Sequence, residues 1–149
     1  MRAKRKRPPH ALLKDVAQSC RSSRNRQLID LAGQTLGRSG DIEGAVALFR
    51  QALSRDPHAI NSRIGLVVSL HMARRYEEER EHLRFLVQTA PKDPMVHRFA
   101  LQVGRFTDDE VLTDTAMRLI KAHNPRALPA AKRFLEAPRR APRQSPSKQ

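Results

Sequence analysis

The chain has no tryptophan, one tyrosine and five phenylalanines among its 149 residues, so rings supply little of its burial. A core must come mainly from Leu, Ile, Val, Ala and Met, as in helical stacks where small side chains let helices approach closely. One cysteine, Cys20, excludes an intrachain disulfide framework, and it lacks the second cysteine and nearby histidine that zinc would need. A reducing, cytoplasmic setting is expected. No apolar run reaches the length of a membrane crossing, and the basic start leads into Pro8-Pro9-His10 rather than an apolar signal segment.

The motifs of common catalytic chemistry are missing as well. The sequence has no glycine loop ending in Gly-Lys-Ser/Thr, no Gly-x-Ser-x-Gly and no His-Glu-x-x-His. Gly37-Arg38-Ser39-Gly40 lies between two apolar-periodic stretches and reads as a turn. Glu78 and His82 are four apart on a helical face, but two ligands do not make a metal site. His58, His71, His97 and His123 share no spacing. We therefore expect no catalysis, no cofactor and no metal.

Charge is abundant and unevenly placed. The net charge is +14. Residues 1–25 carry net +7 and residues 126–149 net +6, leaving net +1 for residues 26–125. The basic character belongs to the ends, where phosphates of a nucleic acid or an anionic surface are the natural partners. Arg2, Lys4, Arg5, Lys6 and Arg7 at one end, and Arg139, Arg140 and Arg143 at the other, are the candidate phosphate contacts. A solvated tail that aids solubility is the other reading of both segments.

The middle is organised by three prolines, Pro57, Pro91 and Pro125, each 34 residues from the next. Proline lacks an N–H and clashes with the preceding turn, so this spacing marks recurring helix ends and predicts a stacked repeat. The clearest unit runs from Arg26 to Ala59. Leu28, Ile29, Leu31, Ala32 and Leu36 form one apolar stripe with Gly33 as a small contact point, and Gly37 to Asp41 form a turn in which Asp41 can cap the next helix. Ile42, Ala45, Leu48, Phe49, Ala52 and Leu53 then recur at helical intervals until Pro57.

On Ala32-Gly33, Leu36, Ala45, Phe49, Ala52 and Pro57, the stretch resembles a tetratricopeptide repeat, a 34-residue helix–turn–helix unit. One period on, the frame reads Leu66-Val67, Leu70, Glu79, Leu83, Leu86 and Pro91, and a second gives Ala100-Leu101, Gly104, Thr113, Met117, Ile120 and Pro125. The resemblance implies an all-α, right-handed solenoid of three repeats, 26–59, 60–93 and 94–127. Around them we expect a basic tail over 1–9, a capping helix and link over 10–25, a C-terminal capping helix over 128–137, and a basic, proline-rich tail over 138–149.

Three local expectations follow. The helix beginning at Ile60 is apolar nearly all round and should be the most buried. Glu79 stands where the first repeat has the small Ala45; either its helix rotates to bring the carboxylate to solvent, or an ion pair, for which Arg75 is the candidate, is accommodated inside. Thr107-Asp108-Asp109-Glu110 fits a capping box.

The resemblance further implies that first helices line a concave groove for a peptide or partner helix. That puts Arg38, Asn61, Ile64, Val68, His71, Met72, Met95, Arg98, Gln102, Arg105 and Phe106 on the groove side, where Ile64, Val68, Met72 and Met95 serve either as apolar anchors or as core. The functional expectation is a protein-interaction scaffold or adaptor, with tail-mediated nucleic-acid binding as the alternative. Relatives that grip chaperone C-terminal carboxylates use a Lys/Asn/Arg clamp, whereas this chain has Asp30, Gln34, Gly65, Met95 and Phe99 there. Titration with an acidic C-terminal chaperone peptide is expected to show no complex in the micromolar range; a micromolar complex would refute this.

Overall fold

The computed structural model describes residues 26–139, with side chains from Ile29 onward. Its regular elements are all helical: α1 Arg26–Arg38, α2 Ile42–Arg55, α3 Ile60–Met72, α4 Tyr76–Thr89, α5 Pro94–Phe106, α6 Glu110–His123, a 3-10 turn Pro125–Ala127, and α7 Leu128–Glu136. Helix starts at 26, 60, 94 and 128, and at 42, 76 and 110, keep the 34-residue period. The expected C-terminal cap thus begins in register as the first helix of a further unit. The expected N-terminal helix lies outside the described residues. Among the described residues no helix is long and apolar enough to cross a membrane.

Each tight turn inside a helix pair is built the same way. Gly40, Arg74 and Asp108 take positive φ values of 91°, 58° and 53°, and the N–H groups of Asp41, Arg75 and Asp109 reach back to the carbonyls of Leu36, Leu70 and Gly104 at 2.8–3.0 Å. This left-handed termination satisfies carbonyls that the ending helix would otherwise leave open. The next residue starts the cap: the Asp41 carboxylate accepts from the Gly44 N–H and that of Asp109 from the Leu112 N–H, each at 3.0 Å. The expected capping box at Thr107 is therefore corrected. Thr107 ends α5, donating its hydroxyl to the Val103 carbonyl at 2.8 Å, because the left-handed turn at Asp108 moves the capping position on to Asp109.

Helices pack in sequence, each on the next, and α1 also touches α3. Two apolar clusters result. Ile29, Ala32, Leu36, Val46, Phe49 and Ala52 join Leu66 and Leu70 of α3 in one; Val67 of α3 turns to the other, with Leu83, Leu86, Val96, Phe99, Leu112 and Ile120. Apolarity nearly all round α3 is what lets it serve both. It is not the most buried helix, however: α5 has seven buried residues to its five, being flanked by α4 and α6 and closed at its end by a Phe106–Phe134 ring contact.

The first cluster centres on the Phe49 ring, which is 1% exposed. A methyl on Gly33 of α1 would stand 2.6 Å from that ring, and one on Gly65 of α3 closer still. The ring is thus held between two helix backbones that only glycine can bring so near. A similar approach ends α5, where a methyl on Gly104 would lie 2.5 Å from the Thr113 hydroxyl and 2.9 Å from its backbone nitrogen. Backbone cannot yield as a side-chain tip can, so Gly104→Ala is expected to cost about 1–3 kcal/mol in urea unfolding. Gly40→Ala, with nothing near its added methyl, should cost only about 1 kcal/mol through its left-handed φ. Equal costs at both positions would contradict the tight α5–α6 contact.

Candidate protein-binding groove

Between α1 and α3, the first helices of two successive pairs, lies a cavity of about 610 Å³ whose lining includes Phe49, Gly33 and Gly65. The ring borders the cavity because glycine puts no side chain over it. Of the groove residues expected from sequence, Arg38, Asn61, Ile64, Val68, Met72 and, from α5, Met95 line this one cavity. Leu31 joins them at 60% exposure, with Met72 at 50% and Met95 at 44%. Leu31 belongs to the apolar stripe of the sequence but is exposed, and it is the neighbouring Ile29, Ala32 and Leu36 that are buried. Ile64 and Val68 do both tasks, half-buried against the second cluster while bordering the cavity.

The remaining expected groove residues lie elsewhere. Arg98 and Gln102 line a separate cavity farther along the stack. Arg105 donates to the Ala137 carbonyl, and its guanidinium carbon sits 4.7 Å from the Phe134 ring centroid, so it ties α5 to the end of α7. Phe106 packs on Tyr76 with ring centroids 4.9 Å apart. His71 touches Phe99 and Tyr76 with ring centroids 4.8 and 5.4 Å away. Of the candidate phosphate contacts, Arg139 pairs with Asp108; Arg2, Lys4, Arg5, Lys6, Arg7, Arg140 and Arg143 lie outside the described residues.

Polarity around the groove is mostly spoken for. Asp30, on the cavity rim, accepts from the Ser62 hydroxyl at 2.6 Å. Glu79 is fully buried and does not reach solvent; nor is Arg75 its partner, since Arg75 pairs with Glu43 and Glu78. Both Glu79 oxygens instead lie 3.0–3.1 Å from Nδ1 of His71. The physical reason is a helix crossing that repeats: Gly37 faces Ala45 in the first pair, and His71 faces Glu79 in the second. A large residue on one helix is accommodated by a polar partner on the other. Glu78 and His82 do not converge on a metal position either, because Glu78 is held by Arg50 and Arg75, and His82 by Arg63. Among the described residues no group of three metal-ligating side chains forms.

Arg84 of α4 binds the Asp109 cap of α6 at 2.7 Å and so crosses from one unit to the next. Burial would raise the Asp109 carboxyl, but the Leu112 N–H and the Arg84 guanidinium outweigh it and hold the carboxyl below its ordinary range. Its contribution to stability is therefore present above that range and lost as pH falls through the lowered value.

Among the described residues, seven helices stacked in sequence at one period define a helical repeat. Residues 38–102 match the family profile of the tetratricopeptide repeat, and the chain carries that repeat. No curated protein and no solved structure matches the chain. Tetratricopeptide repeat domains are in general protein-interaction domains.

Glu79 offers a direct check on the geometry beside the groove. Burial pushes its carboxyl above the ordinary carboxylate range, against the opposing bond and charge of His71. A raised folded-state value means that the associated stability is present at low pH and is lost as pH rises through that value. Glu79→Gln cannot ionise. Urea unfolding across pH 4–8 should show stability shifting in favour of the variant as pH rises, and a pH-independent difference would refute the buried carboxylate.

Proposed function

We propose that this chain is a cytoplasmic scaffold or adaptor whose concave groove holds a segment of another protein. The observation that carries this reading is the convergence of Leu31, Met72 and Met95, three large apolar side chains left exposed, on one cavity whose lining includes an aromatic ring. Exposed apolar groups of this size clustered at a concave site are typical of binding surfaces rather than of random surface. An apolar anchor of the partner fits between them, and Arg38 and Asn61 on the rim fix its direction by hydrogen bonds. Methionine suits such a site because its flexible thioether adapts to different anchors.

Affinity capture from lysate with the full chain and with Met72→Asp tests the reading after nuclease treatment and in high salt. Met72 is half exposed, so the variant should keep its helical circular dichroism and unfolding midpoint. A discrete protein retained by the parent chain and reduced at least about tenfold by the variant is expected. Equal capture by both would overturn the groove reading. Capture of material that nuclease or salt removes would move the function to the basic ends.

A further inference from the structure

Charge is neutralised along α2 and α4 and left open beside the groove. Arg50 and Arg75 share Glu78, and Arg84 reaches both Glu81 and Asp109. On the first helices, by contrast, Arg38 ends α1 and Arg98 stands in the second turn of α5; both are exposed, and neither has a carboxylate partner among the described residues. Asp30, the acid in the cavity lining, is already engaged by the Ser62 hydroxyl. Arg105 is spent on the Ala137 carbonyl and the Phe134 ring.

The two open cations stand far apart. Short links reverse the chain between helices in contact, so α1, α3 and α5 run the same way. The cavity extends along them, with Asn61 and Met95 near the starts of α3 and α5, and Arg38 and Met72 at the ends of α1 and α3. From Asn61 to Met72 is about 16 Å of helix at 1.5 Å per residue. Arg38 therefore lies at one end of the apolar space. Arg98 borders the other, three residues beyond Met95 on the same face of α5 and between this cavity and the next. Its guanidinium carbon is 5.9 Å from the centroid of the Phe99 ring, which itself meets His71 of α3.

An unpaired guanidinium at each end of an apolar centre is complementary to a segment that carries acids on both sides of an apolar anchor. Given a groove that holds a segment of another protein, as proposed above, we infer that the segment has this chemistry: its anchor packs among Leu31, Met72 and Met95, and its flanking carboxylates pair with Arg38 and Arg98. A peptide whose acids all lie at its C-terminus satisfies one guanidinium at most, in keeping with the absence of a complex expected for acidic chaperone tails.

The test is selection from displayed random peptides of about 16 residues, which even as a helix reach about 24 Å and span the cavity. The targets are the full chain and its Arg38→Glu, Arg98→Glu and Met72→Asp variants, all at exposed positions and checked by circular dichroism. Peptides enriched on the parent chain should carry Asp or Glu on both sides of a Leu, Met or Phe. By fluorescence anisotropy at about 0.15 M salt, each charge reversal should weaken them at least about tenfold. Lysine in place of the acids on one side should restore binding to one reversal variant and not to the other. Enriched peptides that need Met72 but lack acids on either side would overturn the acidic partner and leave the groove reading standing. Peptides indifferent to Met72→Asp, or no enrichment at all, would overturn both. Acidic peptides that tolerate both charge reversals would be held by the basic ends instead, and the inference would fail.

Discussion

The placement of Phe49 between Gly33 and Gly65 is the constraint on which the first half of the stack depends. Its ring is the largest side chain fully enclosed in that cluster, and it touches backbone on both sides. Loss of such a ring from a packed core costs about 3–5 kcal/mol, more than any polar contact seen here would supply. The same clasp has a second consequence. Because two glycines cover the ring, it takes part in the groove lining, so the feature that joins α1 to α3 also shapes the cavity between them. Stability and the candidate binding site share one contact.

The second constraint is register. A left-handed residue, a capping position and a proline recur at 34-residue intervals, so each helix pair turns through the same backbone arrangement. The chemistry at those positions varies while the geometry persists. Gly40 takes positive φ at no steric cost, whereas Arg74 and Asp108 take it at some cost and are held there by the backbone bonds of the turn. Arg75 stands where Asp41 and Asp109 cap their helices and provides no cap; it spends its guanidinium on Glu43 and Glu78 instead, joining α2 to α4.

Much of this was legible in the sequence because proline and glycine act locally. Pro57, Pro91 and Pro125 stop helices whatever surrounds them, so the period and the all-α class followed directly. What depended on three dimensions was harder to read. For Glu79 the sequence offers either solvent or a buried pair with Arg75, because within one helix face Arg75, four residues away, is the visible partner. Its actual partner, His71, is eight residues earlier across the turn, and the signal was the equivalent Gly37–Ala45 pair one period before. Leu31 looked like core because its neighbours on the stripe are core; rotation of α1 by one residue position decides which leucine faces solvent. Gly65 gave no warning of its role, since only the fold brings it to Phe49.

The most direct test of the Phe49 clasp is a double-mutant cycle between Gly65→Ala and Phe49→Leu, read by equilibrium urea unfolding. If the ring is what forbids a methyl at position 65, Gly65→Ala should destabilise the parent chain by about 1–3 kcal/mol and cost little in the Phe49→Leu background, a coupling well above 0.5 kcal/mol. Costs that simply add would mean that Gly65 and Phe49 do not touch, and the shared basis of stack and groove would be refuted.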